Sequence, residues 1–241
     1  MHLAIFQMAR FDLDFIKQNL AQIPKGALCL FPEYVLSPFF LELLHSDPQH
    51  SASQAHTRQT QLESLARQRG VHVLVPTLAF CDHKLYKQMA WISPQHTHYY
   101  LQQRLIAFDH WDEQAFFANP KEGFQTPLNF VLEGIKIAPL FGFEVHFDAL
   151  WLKLQEIGVD MVLLSSASAF ESFDRWRAVC SARAFCNSML VRGLIASGWC
   201  AKSIIRVSNT ICPGVSMGIV SSPCPMGRLA TACRGKRGCC I

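Results

Sequence analysis

Apolar positions in this chain alternate between two spacings, and the clearest example lies between Gly134 and Ala169. Ile135 to Phe141 is an apolar run that ends at Gly142. Asp148 to Glu156 then carries Ala149, Leu150, Leu152 and Leu154 at helical spacing, with Gly158 as the stop. Asp160 to Leu164 is apolar again, as a strand covered on both faces should be. Strand, sharp turn, helix and strand within 36 residues predict a βαβ unit, around which the rest of the chain is organised.

The same alternation begins at the N-terminus. His2 to Met8 predicts a strand, and Phe11, Phe15, Ile16, Leu20 and Ile23 predict a helix. Pro24-Lys25-Gly26 turns the chain into a buried strand, Ala27 to Phe31, which stops at Pro32-Glu33-Tyr34. Ser37 to Ala55 is rich in Pro, Ser, His and Gln and predicts a loop with a short helix. Thr57 to Arg69 predicts an amphipathic helix stopped by Gly70, and Val71 to Ala79 a strand. Two strands around a turn follow, Lys84 to Pro94 and His98 to Tyr100. After the βαβ unit come a helix, Phe170 to Asn187, and a strand, Met189 to Ala196.

With 241 residues, half of them apolar and 11% aromatic, the chain is long enough for one large core. No apolar run approaches the roughly 20 residues of a membrane span, and the first residues lack a basic region followed by an uninterrupted apolar segment, so a cytoplasmic protein without membrane contact is expected. The formal charge of +4 is unevenly placed. Residues 1–198 hold 16 Lys and Arg against 18 Asp and Glu, whereas the last 43 residues hold six Lys and Arg and no acid. A basic face for nucleic acid is therefore not expected. Cys29, Cys81, Cys180 and Cys186 show no framework spacing and read as small hydrophobes. His45, His50 and His56 lack metal-ligand spacing, and no metal or cofactor is expected.

Several of these stretches resemble the nitrilase, or carbon-nitrogen hydrolase, superfamily. Gly142 to Phe147, G-F-E-V-H-F, is similar to its nucleophile elbow, in which a strand delivers Cys-aromatic-acid-x-Arg/His-Phe to a turn. Glu144, His146 and Phe147 match, but glycine stands at the cysteine position. Phe31-Pro32-Glu33 resembles the motif whose glutamate is the general base, and Glu33 equally fits an acid at a strand-to-helix junction. Tyr100 to Leu105 resembles the Tyr-x-Lys-x-x-Leu segment of the catalytic lysine, with Gln102 in the lysine position and Arg104 as the nearby cation. Glu113 is the candidate for the family's second glutamate, and also reads as a surface acid. Trp176, Ala178, Arg183, Ala184 and Asn187 match a helix that packs on the sheet.

The resemblance implies a four-layer α-β-β-α sandwich over residues 1–198. It also implies a mechanism in which a thiolate attacks an amide or nitrile carbon while lysine holds the oxyanion. Glycine has no group with which to attack, and a neutral amide lacks the ammonium's charge. The expected function is therefore that of a carbon-nitrogen hydrolase-like protein without amidase or nitrilase activity, keeping a binding or interface role. The alternative is an active hydrolase of a small amide or N-carbamoyl compound using relocated groups. A small amide-like ligand and a homodimer through Trp151, Phe170, Phe173 and Trp176 are the partners expected.

From Trp199 to Ile241 the composition breaks: no Asp, Glu, His, Gln, Phe or Tyr occurs, and six of the ten cysteines appear. The family would continue with a glycine- and serine-rich hairpin, which is absent in the frame as given. Reading the third base of each codon with the first two of the next, Met217-Gly218 and Met226-Gly227 must each give Gly, and Cys239-Cys240 must give Leu. With synonymous choices the run Gly214 to Cys240 reads RFYGDSLFALPHGQISDSLQGKEGLL. Its forced glycines fall in G-D-S and P-x-G contexts that suit the hairpin. A frameshift near Gly198 and a non-native, disordered tail are expected, with the C-terminal part of the fold missing or replaced.

Overall fold

The structure is a computed structural model, and it describes residues 1–168, 172–197, 203–208 and 218–220. In chain order the elements are β1 (His2–Gln7), α1 (Leu13–Leu20), β2 (Leu28–Leu30), α2 (Phe40–Leu43), α3 (Pro48–Arg69), β3 (His72–Cys81), β4 (Lys84–Ile92) and β5 (Thr97–Leu101). There follow β6 (Ala107–Phe108), β7 (Trp111–Asp112), α4 (Glu113–Phe116), β8 (Phe130–Leu132), β9 (Ile135–Phe141), a 3-10 turn (Gly142–His146), α5 (Asp148–Glu156) and β10 (Met161–Ser168). The last are α6 (Phe173–Asn187), β11 (Leu190–Ser197), β12 (Ser203–Ser208) and β13 (Gly218–Val220).

Two sheets carry the fold. One has the order β12-β1-β2-β3-β4-β5, the other β13-β11-β10-β9-β8. Their apolar packing divides into three clusters, which correspond to the three interfaces of four layers. Ile16, Leu20, Ala55, Leu62 and Ala66 of α1 and α3 pack with Phe6, Cys29 and Val73 of the first sheet. Leu3, Ile5, Leu28, Leu30 and Leu74 meet Ile137, Phe141, Met161 and Leu163 between the sheets. Leu140, Val162, Leu164 and Val191 pack against Trp151, Leu154, Cys180 and Ala184 of α5 and α6. The molecule is the α-β-β-α sandwich expected from the sequence. Trp151 lies wholly inside the third cluster, 1% exposed, rather than at a surface.

Local chemistry explains the boundaries. Two hairpins turn on two residues with positive φ: Asp82 and His83 between β3 and β4 (φ 50 and 59°), and Glu133 and Gly134 between β8 and β9 (φ 49 and 78°). The β9-α5-β10 unit is parallel, with Ile137 opposite Met161 and Phe141 opposite Ser165. One expectation is corrected at α3, which begins at Pro48 rather than Thr57. Asp47 accepts from the amides of Gln49 and His50, and proline at the first helical position suits the start. Its buried stripe of Ser51, Ala52, Ala55 and Gln59 is too small and polar to register as an apolar period.

Beyond Ser197, Ser203–Ser208 pairs antiparallel with β1, from His2–Ser208 to Gln7–Ser203, and Gly218–Val220 pairs with β11. Ile204 packs on the outer cluster of the first sheet. The remainder of the 199–241 segment, with the expected disorder and Phe170, lies outside the described residues.

Candidate active site

The site is assembled where β2, β4, β5, β9 and β10 end. Past β2 the chain enters Phe31-Pro32-Glu33-Tyr34, with Tyr34 at φ 63°, an uncommon conformation for a residue with a side chain. Two bonds anchor this segment to the other sheet. Ser165 Oγ donates to the carbonyl of Phe31 at 2.7 Å, and the amide of Ala167 donates to Glu33 Oε2 at 3.0 Å. The ladder between β9 and β10 stops at Phe141–Ser165, so Glu33 meets β10 beyond the point where β9 has turned away.

Glu33 and Glu113 converge on one ammonium, and it belongs to Lys87. Lys87 Nζ lies 2.5 Å from Glu33 Oε1 and 2.7 Å from Glu113 Oε1, and donates to Tyr34 Oη at 2.9 Å. Tyr34 Oη also donates to Glu113 Oε1 in a short contact, and the indole of Trp111 donates to the same oxygen at 3.2 Å. Exposure of the three charged side chains is 8%, 0% and 2% for Glu33, Glu113 and Lys87, so each charge depends on its partners rather than on water. Burial pushes the Glu33 carboxyl upward and Glu113 adds to the push, while Lys87 opposes it; the result is raised. For Lys87 burial acts downward, but the two carboxylates outweigh it and the ammonium is held above its ordinary range.

Lys87 stands beside Gln102, the residue at the position that the resemblance gives to lysine. Gln102 N donates to Lys87 O at 3.1 Å, one step past the last β4–β5 pair, Gln88–Leu101, so the two residues are direct cross-strand neighbours. The ammonium of the site therefore comes from β4, one strand away from Gln102. Gln102 itself is fully buried: its Nε2 donates to Arg104 O at 2.7 Å, and its Oε1 is without a partner. Arg104 supplies no charge here, because its guanidinium stacks 3.6 Å over Phe124 and donates to Gly123 O. Asn119 clamps both strands, with Oδ1 accepting from Lys87 N at 2.9 Å and Nδ2 donating to the carbonyls of Lys87 and Gln102 at 2.7 and 2.8 Å.

Lys87 and Asn119 were missed in the sequence. Lys87 did leave a signal: it alternates with Leu85 and Met89, and all three are buried on β4. Glu113 is a buried residue of this cluster and not a surface acid.

The elbow at Gly142 is held from below by Glu144. That carboxylate accepts from Phe141 N (3.0 Å), Gln103 N (2.7 Å) and Tyr100 Oη (2.9 Å), tying the turn to the end of β5. Burial pushes its carboxyl up to about 7 against the pull of those donors. Arg183 of α6 reaches the carbonyls of Val145 and His146 and pairs with Asp148 at 2.5 Å, which fixes the far side of the turn. His146 is exposed beside Trp176, and desolvation together with the charge of Arg183 lowers its pKa. At Gly142 itself no side chain projects. Glu33, Lys87 and Glu113 thus form a buried charged cluster, and glycine stands at the neighbouring turn.

No protein-family model matches the sequence, and no curated protein is similar to it. Solved structures are. An amidase from Nesterenkonia sp. superposes with a TM-score of 0.68 at 21% identity, covering 82% of this chain and 78% of that one. A cysteine-to-alanine variant of the amidase from Nesterenkonia sp. AN1, in complex with butyramide, gives 0.66 at 21% identity, over 82% and 76%. A CN-hydrolase superfamily protein from Xanthomonas campestris gives 0.67 at 16% identity, over 82% and 77%. The chain has the fold of the nitrilase, or carbon-nitrogen hydrolase, superfamily.

Proposed function

We propose that this protein holds a small amide in the buried Glu33–Lys87–Glu113 site and does not hydrolyse it through a thioester. The observation that carries the reading is the elbow: glycine stands where a thiol would attack, while the charged groups around it are in place. A ligand carbonyl suits the Lys87 ammonium, and a ligand N–H suits Glu33. The butyramide complex of the related amidase, in a cysteine-to-alanine variant, supports amide binding without that thiol. Loss of a nucleophile alone commonly costs on the order of a millionfold in turnover.

The test uses the full chain and butyramide. Calorimetry is expected to show binding that Lys87→Met abolishes, with no ammonia released and no acyl adduct by mass spectrometry. An acyl adduct on any cysteine during amide turnover overturns the reading. Lys87 also favours a second reading, hydrolysis of a small amide or N-carbamoyl compound by relocated groups, which ammonia release without a cysteine adduct would support. Association through α5 and α6 belongs to the same proposal, since Leu152, Phe173 and Phe185 are exposed there (58, 42 and 74%). No helix among the described residues is long and apolar enough to cross a membrane, and a cytoplasmic, homodimeric protein is the form proposed.

A further inference from the structure

The absence of a side chain at Gly142 is matched by the presence of one opposite it. One residue beyond the last β9–β10 pair, Phe141–Ser165, Gly142 faces Ser166, which is 2% exposed. A Cβ built on Gly142 would overlap Ser166 Oγ, lie 2.5 Å from Ser166 Cβ and come within 3.2 Å of Cη2 of Trp176. Contacts this close require something to move. Ser166 Cβ is fixed to its strand by the β10–β11 ladder, in which Ser166 pairs with Ile195 and the pairing continues for two residues beyond it. The far end of a flexible side chain could swing aside; a Cβ on a central strand cannot.

We infer that Ser166 occupies the volume of the elbow side chain, so that residues 142 and 166 form a size-coupled pair across β9 and β10. Ser166 is the positioning residue that keeps this elbow free of a nucleophile. The inference rests on reading Gly142 as the elbow of the proposed site, but it does not depend on whether an amide binds. A thiol cannot be restored at residue 142 alone, and removing the Ser166 side chain, Cβ included, at the same time opens the place for it.

The experiment compares Gly142→Cys, Ser166→Gly and Gly142→Cys/Ser166→Gly in the full chain, because the overlap includes the Ser166 Cβ as well as its hydroxyl. The probe is acrylamide, which adds by Michael addition to the active-site cysteine of a variant of the Nesterenkonia sp. AN1 amidase. Alkylation is followed at the residue 142 peptide by mass spectrometry, so that the chain's other cysteines do not obscure it. Gly142→Cys alone is expected to melt below the parent and to react slowly. The double variant is expected to regain most of the lost melting temperature and to react on the order of tenfold faster, as relief of overpacking implies. Should the cysteine variants fail to fold, Gly142→Ala and Gly142→Ala/Ser166→Gly decide the matter by their melting temperatures, with Ser166→Gly as the reference for additivity. Recovery in the double variant supports the coupling. Equal reactivity and stability of the residue 142 single and double variants, or effects that simply add in either pair, overturn it.

Discussion

Replacing Lys87 by Met keeps a long unbranched side chain and removes only the ammonium, which leaves Glu33 and Glu113 facing each other in a buried site. Both carboxylates touch the same nitrogen, at 2.5 and 2.7 Å, so their contacting oxygens are no more than about 5 Å apart. At an effective dielectric of about 20, that spacing gives a repulsion on the order of 3 kcal/mol if both stay charged. The alternative is that one takes a proton. Holding a carboxyl of ordinary pKa protonated at pH 8 costs about 5 kcal/mol, so the penalty there is bounded at 3–5 kcal/mol, the range found when one partner of a buried pair is removed. At pH 5 the protonation cost falls below about 1 kcal/mol.

The sign follows from the direction of the shift. A folded-state pKa raised above the ordinary value gives stability that is present below that value and is lost as pH rises through the folded one. The Lys87→Met variant should therefore be far closer to the parent at pH 5 than at pH 8. Gln102→Ala serves as the control, losing one hydrogen bond and one orphaned oxygen for about 1 kcal/mol or less. Urea unfolding monitored by tryptophan fluorescence at both pH values measures all three chains. If Lys87→Met costs under about 1 kcal/mol at pH 8, or costs the same at pH 5, the charged cluster is not what holds this part of the fold.

Other outcomes follow from neighbouring groups. Asn119→Ala leaves the amide of Lys87 and the carbonyl of Gln102 unpaired in the interior, and should lower stability by about 2–3 kcal/mol in urea; a change under half that would show the clamp to be dispensable. Glu144, raised from 4.5 to about 7, contributes on the order of 3 kcal/mol that is present below pH 4.5 and lost as pH rises through 7. Glu144→Gln should flatten that part of the stability profile between pH 5 and 8, and an unchanged slope argues against it. Light scattering is expected to show a dimer that Leu152→Glu with Phe185→Glu converts to monomer; a monomeric parent at micromolar concentration ends that proposal. Genomic sequence around codon 198 is expected to reveal a change of frame, and an uninterrupted frame through codon 241 would show residues 199–241 to be the native continuation.

What the sequence made legible was local. The β9-α5-β10 unit, β1 to β2 and the Phe31-Pro32-Glu33 stop are written in runs of neighbouring residues, and the structure places them within a few residues of expectation. The start of α3 was hidden because Ser51 and Gln59 are buried polar groups; Gln59 donates to Glu63 and Tyr99 in place of apolar contact. Lys87 was hidden for a different reason. A lysine in a strand ordinarily reads as a solvent-facing position, and only the pairing of β4 with β5 shows that its neighbour is Gln102 and that partners come from positions 53 and 26 residues away. The overlap of residue 142 with Ser166 likewise exists only once register is known.

These two cross-strand pairs, Lys87 with Gln102 and Ser166 with Gly142, differ in side-chain reach. Adjacent strands are about 4.8 Å apart, and lysine carries its charge on a flexible four-carbon stem, so an ammonium can arrive at one point from either of two neighbouring strands. Lys87 does so, meeting both carboxylates although Gln102 holds the other strand. Serine has a single carbon between backbone and hydroxyl. From β10 its Oγ falls about where the first carbon of a residue 142 side chain would stand, behind the place a nucleophilic atom must reach. An oxyanion-stabilising charge depends on where the charge ends, whereas a nucleophile also depends on the backbone that presents it at the elbow. Under the proposed reading, a cation is therefore accessible to this site from either strand, whereas an attacking group is accessible only from the backbone at residue 142.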